Sequence, residues 1–337
     1  MADIETTVRA ERRGRVGRIV LDRPKALNAL DHAMILAIGR ALDSWRDDPS
    51  VHAVVIEGAG GRAFCAGGDI REGRRMALAG DRDAIEAYFR DEYGLNAAIA
   101  AYPKPYVALI DGICMGGGCG VSVHGAYRVA TGQALFAMPE TAIGLFPDIG
   151  ATFFLPRLPG AIGMWMGLTG ARIQGADAAH AGLATHYVPR AKLPALSEAL
   201  AADGAGVLAG FAEPLPPAGY APHRAAIDRC FGADSVDAIR AALTAEGGEW
   251  AAAQLAALDA MSPSSLLWTF EMLRAGRHRT LAQALAAELA LTRSVMFHPD
   301  FAEGVRAMVV DKDRAPRWVP PGHEATRAVL AALRAAA

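Results

Sequence analysis

Tyr106-Val-Ala-Leu-Ile110 runs straight into Asp111-Gly-Ile-Cys-Met-Gly-Gly-Gly-Cys-Gly120, five apolar residues followed by a segment with five glycines between Gly112 and Gly120. A short apolar run that does not alternate reads as a strand buried on at least one face. The glycines after it let the backbone turn sharply and bring its amides close to a ligand. The same grammar occurs upstream, where Val54-Val-Ile-Glu57 is closed by Gly58, Gly60 and Gly61 and followed by Phe64-Cys-Ala-Gly-Gly-Asp69. Further out, Arg18-Ile-Val-Leu21 and Tyr127-Arg-Val-Ala130 read as strands. Asp31 can cap a helix through Ile35, Ile38 and Leu42, and Ile85, Tyr88, Phe89, Leu95 and Ile99 space a second helix that stops before Pro103. Strand and helix alternate through the first two hundred residues, which predicts an α/β fold.

Near Ala201 the composition changes. Residues 202–222 are rich in Ala, Gly and Pro, and beyond them Val236–Leu243, Glu249–Leu258, Ser264–Gly276 and Thr280–Thr292 carry helical spacing. The chain is therefore expected to divide into residues 1–200, an α/β core with the active site, and residues 201–337, a helical C-terminal subdomain.

The 337 residues carry 34 Lys and Arg against 36 Asp and Glu, a net charge of −2, and 52% are hydrophobic. Bulk charge thus disfavours nucleic acid, and the apolar content excludes disorder as the main state. The most apolar long window, Pro105 to Val123, holds Asp111 and the glycines, so no membrane span is expected there. Asp3, Glu5 and Glu11 interrupt any leader-like stretch, and Cys65, Cys114, Cys119 and Cys230 have neither zinc-site spacing nor a His-rich partner segment. Buried thiols, cytoplasmic residence and no metal are the expectations.

Chemistry can sit at three places. Both glycine segments can aim amides at an anion or a developing oxyanion, although each alone also fits a tight turn. Neither contains G-x-G-x-x-G in frame, since counting from Gly116 puts Val121 at the last glycine, and no G-x-x-x-x-G-K-[ST] exists. The third place is Met138-Pro-Glu-Thr-Ala-Ile-Gly-Leu-Phe-Pro-Asp148, read as a short helix ending at Gly144, with Glu140 and Asp148 able to face one cavity. Burial would raise a carboxyl there toward general acid or base work, while a helix start favours the anion, and Glu140 as a mere helix-start residue stays an alternative. Arg62, Arg71, Arg74 and Arg75 gather near the first glycine segment, either as a solvated face or as a place welcoming phosphate.

Phe64-Cys-Ala-Gly-Gly-Asp-Ile70, Asp111-Gly-Ile-Cys-Met-Gly-Gly-Gly118 and Met138-Pro-Glu140 resemble the three signatures of the crotonase (enoyl-CoA hydratase/isomerase) superfamily. Asp91-Glu-Tyr93, the Phe136-to-Asp148 string, Asp300-Phe-Ala-Glu-Gly-Val-Arg306 and Asp311-Lys-Asp-Arg-Ala-Pro-Arg-Trp318 resemble its 3-hydroxyisobutyryl-CoA hydrolase branch. The resemblance spans nearly the whole chain. It implies a crotonase-like spiral of ββα units with a helical C-terminal part used for trimer or hexamer assembly. It also implies an acyl-CoA substrate, no separate cofactor, and a place in valine degradation. Carried over residue by residue, it makes the amides of Gly68 and Gly117 the oxyanion hole. Lys25, Ala26, Leu27, Ala66, Gly68, Asp69 and Ile70 match CoA-contacting positions, and Glu92, Gly117, Glu140 and Asp148 match the hydrolase's substrate site.

One departure from the wider superfamily is informative. Hydratases carry a second catalytic glutamate just after the triple glycine, and here that position is Gly120. Alkene hydration loses its partner acid, whereas thioester hydrolysis needs one base or nucleophile and an oxyanion hole. Hydrolysis is favoured over a hydratase or isomerase, and both over a non-catalytic CoA-binding scaffold. The glycine run also raises the expectation of positive φ at Gly120.

Overall fold

The computed structural model describes residues 7–335, so the expectation at Asp3 and Glu5 lies outside the described residues. Among the described residues, ten strands form two sheets. The first runs β1 (Val8–Arg13), β2 (Val16–Leu21), β3 (Ala53–Gly58), β5 (Tyr106–Ile110), β7 (Tyr127–Ala130) and β10 (His186–Tyr187) in spatial order, and the second β4 (Ala63–Cys65), β6 (Ile113–Met115), β8 (Leu135–Ala137) and β9 (Ile173–Gln174). From β3 to β8, successive strands alternate between the sheets, which is the ββ half of each ββα repeat.

The first sheet is parallel except for the antiparallel β1/β2 pair, with Val54 opposite Tyr106 and Val107 opposite Tyr127. Its inner strands β2, β3 and β5 are largely buried, with apolar residues on both faces. Val55, Val107, Leu109, Val129 and Val188 pack against Leu196, Leu200 and Leu208. Helix α1 (His32–Arg46), capped by Asp31 accepting from the Met34 amide at 2.8 Å, buries Met34, Ile35, Ile38, Leu42 and Trp45. The apolar stretch from Pro105 to Val123 folds as two short strands and a four-residue helix, and no helix among the described residues is long and apolar enough to cross a membrane.

The chain folds as two compact units, each built from three segments. One comprises Met1–Gly68, Gly94–Phe136 and Ile173–Gly219, and carries the sheets. The other comprises Asp69–Tyr93, Ala137–Arg172 and Tyr220–Ala337. The division at 200/201 expected from composition therefore does not match this partition, because α2 (Ile70–Leu78), the first part of α3 (Arg82–Ala100) and the Glu140–Asp148 segment pack with the C-terminal helices. The four C-terminal helices expected from spacing form as Val236–Glu246, Gly248–Ala260, Pro263–Gly276 and Leu281–Val295. Gly120 closes α4 (Gly117–Gly120) in helical conformation and is absent from the positive-φ glycines, which corrects the expectation for it.

Candidate active site

Ala66, Gly116 and Met138 each follow directly on a strand of the second sheet, β4, β6 and β8 in turn. In the sheet-bearing unit, β4 and β6 run parallel with Cys65 opposite Cys114, so the chain leaves both strands on the same side. Ala66-Gly67-Gly68 and Gly116-Gly117 are thereby neighbours. A Cβ on Gly67, whose φ is 118°, would stand 3.8 Å from the Gly117 amide nitrogen, and a Cβ on Gly118 would fall 2.2 Å from the Cys65 carbonyl oxygen. Only glycine permits that approach. The amides of Gly68 and Gly117 make no hydrogen bond with another described residue, and Gly117, as the first residue of α4, has no partner within that helix. Two adjacent, uncommitted N–H groups suit a developing oxyanion.

The Lys25–Leu27 stretch is drawn to the same loops. Pro24–Ala26 forms a 3-10 turn, the Ala66 amide donates to the Leu27 carbonyl at 3.0 Å, and the Leu30 amide to the Gly67 carbonyl at 2.8 Å. Buried Asn28 locks this arrangement, its side-chain amide donating to the Ala59 and Ala63 carbonyls and its side-chain oxygen accepting from the Arg23 amide. Composition gave no signal for Asn28.

Asp69 and Ile70 fall in the second unit, where the Asp69 side chain caps α2 by accepting from the Glu72 amide. Three of the four arginines singled out nearby already have structural partners. Arg71 donates to the Val309 carbonyl, Arg74 to the Ala302 carbonyl, and Arg75 pairs with Glu72.

The carboxylates gather in that second unit. Glu140 opens a 3-10 turn, Glu140–Ile143, which Gly144 ends in the left-handed region. Glu92 and Tyr93 lie on α3, and Asp148 lies beyond the turn. Glu92, Glu140 and Asp148 are 3%, 6% and 5% exposed, so charge at any of them is poorly solvated. One oxygen of Glu140 and one of Glu92 have no hydrogen-bond partner among the described residues. Burial first, and then the Asp148 charge, push both glutamates well above the ordinary carboxyl range. Burial outweighs the helix-start effect on Glu140. Asp148 is pushed up to about 6 by burial, against the opposing hydrogen bond from the Tyr93 hydroxyl at 2.8 Å. A buried carboxyl with a raised pKa and a free oxygen can act as a base or a nucleophile near neutral pH.

Spacing also overlooked Glu288. It sits fully buried on the Leu281–Val295 helix and accepts from the Gly150 amide, the Thr152 amide and the Thr152 hydroxyl. The available signal was a glutamate on the apolar stripe of Leu285, Leu291 and Val295.

Comparison with known proteins follows the same lines. The enoyl-CoA hydratase/isomerase family profile matches residues 16–332. The chain is 48% identical over 319 residues to the 3-hydroxyisobutyryl-CoA hydrolase, mitochondrial, of Xenopus tropicalis, covering 91% of this chain and 83% of that protein. It is 45% identical over 332 residues to the Homo sapiens protein of that name, covering 94% and 85%. Among solved structures, a carnitinyl-CoA dehydratase from Mycobacterium thermoresistibile is similar with a TM-score of 0.91 and 40% identity over 96% of both chains. An enoyl-CoA hydratase from Rhodobacter sphaeroides 2.4.1 gives 0.89 and 42% over 97% of both.

Proposed function

The chain belongs to the enoyl-CoA hydratase/isomerase family, and from that premise we propose that Glu140 and the amides of Gly68 and Gly117 carry out thioester hydrolysis. The enzyme is an acyl-CoA thioester hydrolase, and its substrate is 3-hydroxyisobutyryl-CoA. Water and the thioester give 3-hydroxyisobutyrate and free CoA thiol. The two glycine amides take up the negative charge that develops on the carbonyl oxygen. Glu140, as carboxylate, either removes a proton from the attacking water or attacks the carbonyl itself. The second route expels CoA thiolate, which picks up a proton, and leaves a mixed anhydride that water opens. In labelled water a single turnover puts 18O into the Glu140 carboxyl only on the anhydride route. Asp148 accepts a hydrogen bond from the 3-hydroxyl, and Glu92 lines the acyl site.

The observation that carries this assignment is the unpartnered, buried oxygen of Glu140, combined with a glycine at position 120. Hydration and dehydration, the activities named for the two solved relatives, call in this family for a second carboxyl at that position. Glu140→Gln keeps volume and removes the base, so kcat for thiol release should fall by about a hundredfold or more while KM changes little. Near-wild-type turnover in the variant would remove Glu140 from the chemistry.

We further propose that no separate cofactor takes part and that the chain assembles as a trimer or hexamer, as family membership supports. Cytoplasmic residence is supported by four buried free cysteines, and a step in valine breakdown by the substrate.

A further inference from the structure

We infer that Glu288 is a positioning residue that fixes the turn carrying Asp148 and so holds the Asp148 carboxyl where the substrate's 3-hydroxyl must meet it. The inference rests on the role given above to Asp148. Glu288 occupies a face of its helix otherwise made of Ala284, Leu285, Leu291, Thr292 and Val295. A carboxyl on such a face is costly unless its oxygens are satisfied, and here both are. One accepts from the Gly150 amide at 2.7 Å, the other from the Thr152 amide at 3.0 Å and the Thr152 hydroxyl at 2.5 Å.

Those donors begin two residues beyond Asp148. The intervening Ile149 has φ 55°, a left-handed conformation that a β-branched residue adopts only when its surroundings force it. Gly150 follows at φ 81°, and the Ala151 amide closes the turn by donating to the Asp148 carbonyl at 2.8 Å. On its other side, the Asp148 carboxyl takes the Tyr93 hydroxyl. Asp148 is thus held through its side chain from α3 and through its backbone by a turn that Glu288 closes. Without Glu288, three buried donors lose their acceptor, and with them go bonds that help hold Ile149 in its strained conformation. Glutamine replaces it only in part, because it keeps one acceptor oxygen and puts an NH2 group where the other stands.

The test is a double-mutant cycle. Wild type, Glu288→Gln, Asp148→Asn and the double variant are compared by kcat/KM for thiol release from 3-hydroxyisobutyryl-CoA and from isobutyryl-CoA. Glu288→Gln should cost about tenfold or more on the hydroxylated substrate and much less on the other. Added to Asp148→Asn, it should cost little more, since the two act through one carboxyl. Additive losses, or equal losses on both substrates, would overturn the role of Glu288 and leave that of Asp148 standing. If Asp148→Asn itself affects both substrates equally, the hydroxyl assignment falls, and the coupling between the two substitutions still decides for or against Glu288. Should Glu288→Gln fail to fold, Thr152→Val removes one of the three donors and enters the same cycle. Coupling to Asp148→Asn with recovery in Thr152→Ser supports the inference, and additivity contradicts it.

Discussion

In the proposed mechanism, Asp148 concentrates the selectivity of the enzyme in one carboxyl. It is buried, takes the Tyr93 hydroxyl, and sits close enough in electrostatic terms to raise both Glu92 and Glu140. A site built to pair with a hydroxyl loses most when either side of that pair is removed. Asp148→Asn should therefore lower kcat/KM on 3-hydroxyacyl-CoAs more than on acyl-CoAs without the hydroxyl. Equal losses would assign Asp148 to the chemical step or to structure. Glu140 differs in having an oxygen that nothing in the described protein occupies. That is the expected state of a group whose partner is the substrate.

At the scale of elements, the proposed oxyanion hole depends on how closely α4 approaches β4. An added methyl at position 118 would fall 2.2 Å from the Cys65 carbonyl oxygen. Gly118→Ala must push α4 away and separate Gly117 from Gly68. The expected result is loss of about 1–3 kcal/mol of stability, with kcat down by roughly a hundredfold, read from urea unfolding and thiol release. Unchanged activity would free the hole from this packing. The longer elements were legible because their patterns are long: β3, β5 and β7, and α1 with its Asp31 cap, form where apolar spacing places them. The second sheet was not legible. β4, β6 and β8 are three residues each, too short to show a period, and the sequence reads β4 and β6 as parts of the glycine segments they precede. β1 was hidden for another reason, since most of Val8–Arg13 is exposed and charged, as an edge strand can be. The resemblance supplied Glu92, but Glu288 and Asn28 act through backbone groups remote in sequence; no local pattern marks Asn28, and Glu288 is marked only as a glutamate on an apolar stripe.

For the molecule as a whole, burying carboxyls ties folding to pH. Glu288 is pushed from 4.5 up to about 8 by burial, and Asp148 from 3.8 up to about 6. Between the ordinary and the raised values the folded protein binds more protons than the unfolded chain, so these groups favour folding at low pH. That contribution is full below their ordinary values and is lost as pH rises through the raised ones. The stability of wild type relative to Glu288→Gln should shrink as pH rises from about 5 to about 8, by at most about 1.4 kcal/mol per pH unit. A difference in urea midpoints that stays constant across that range would contradict the burial effect. The central claim, hydrolysis by one carboxylate without the hydratase's second acid, is tested most directly by two rates on one preparation. These are free thiol released from 3-hydroxyisobutyryl-CoA and enoyl absorbance lost from crotonyl-CoA at matched concentration. Rapid thiol release with negligible loss of enoyl absorbance is the expected result, and hydration faster than thiol release would contradict it.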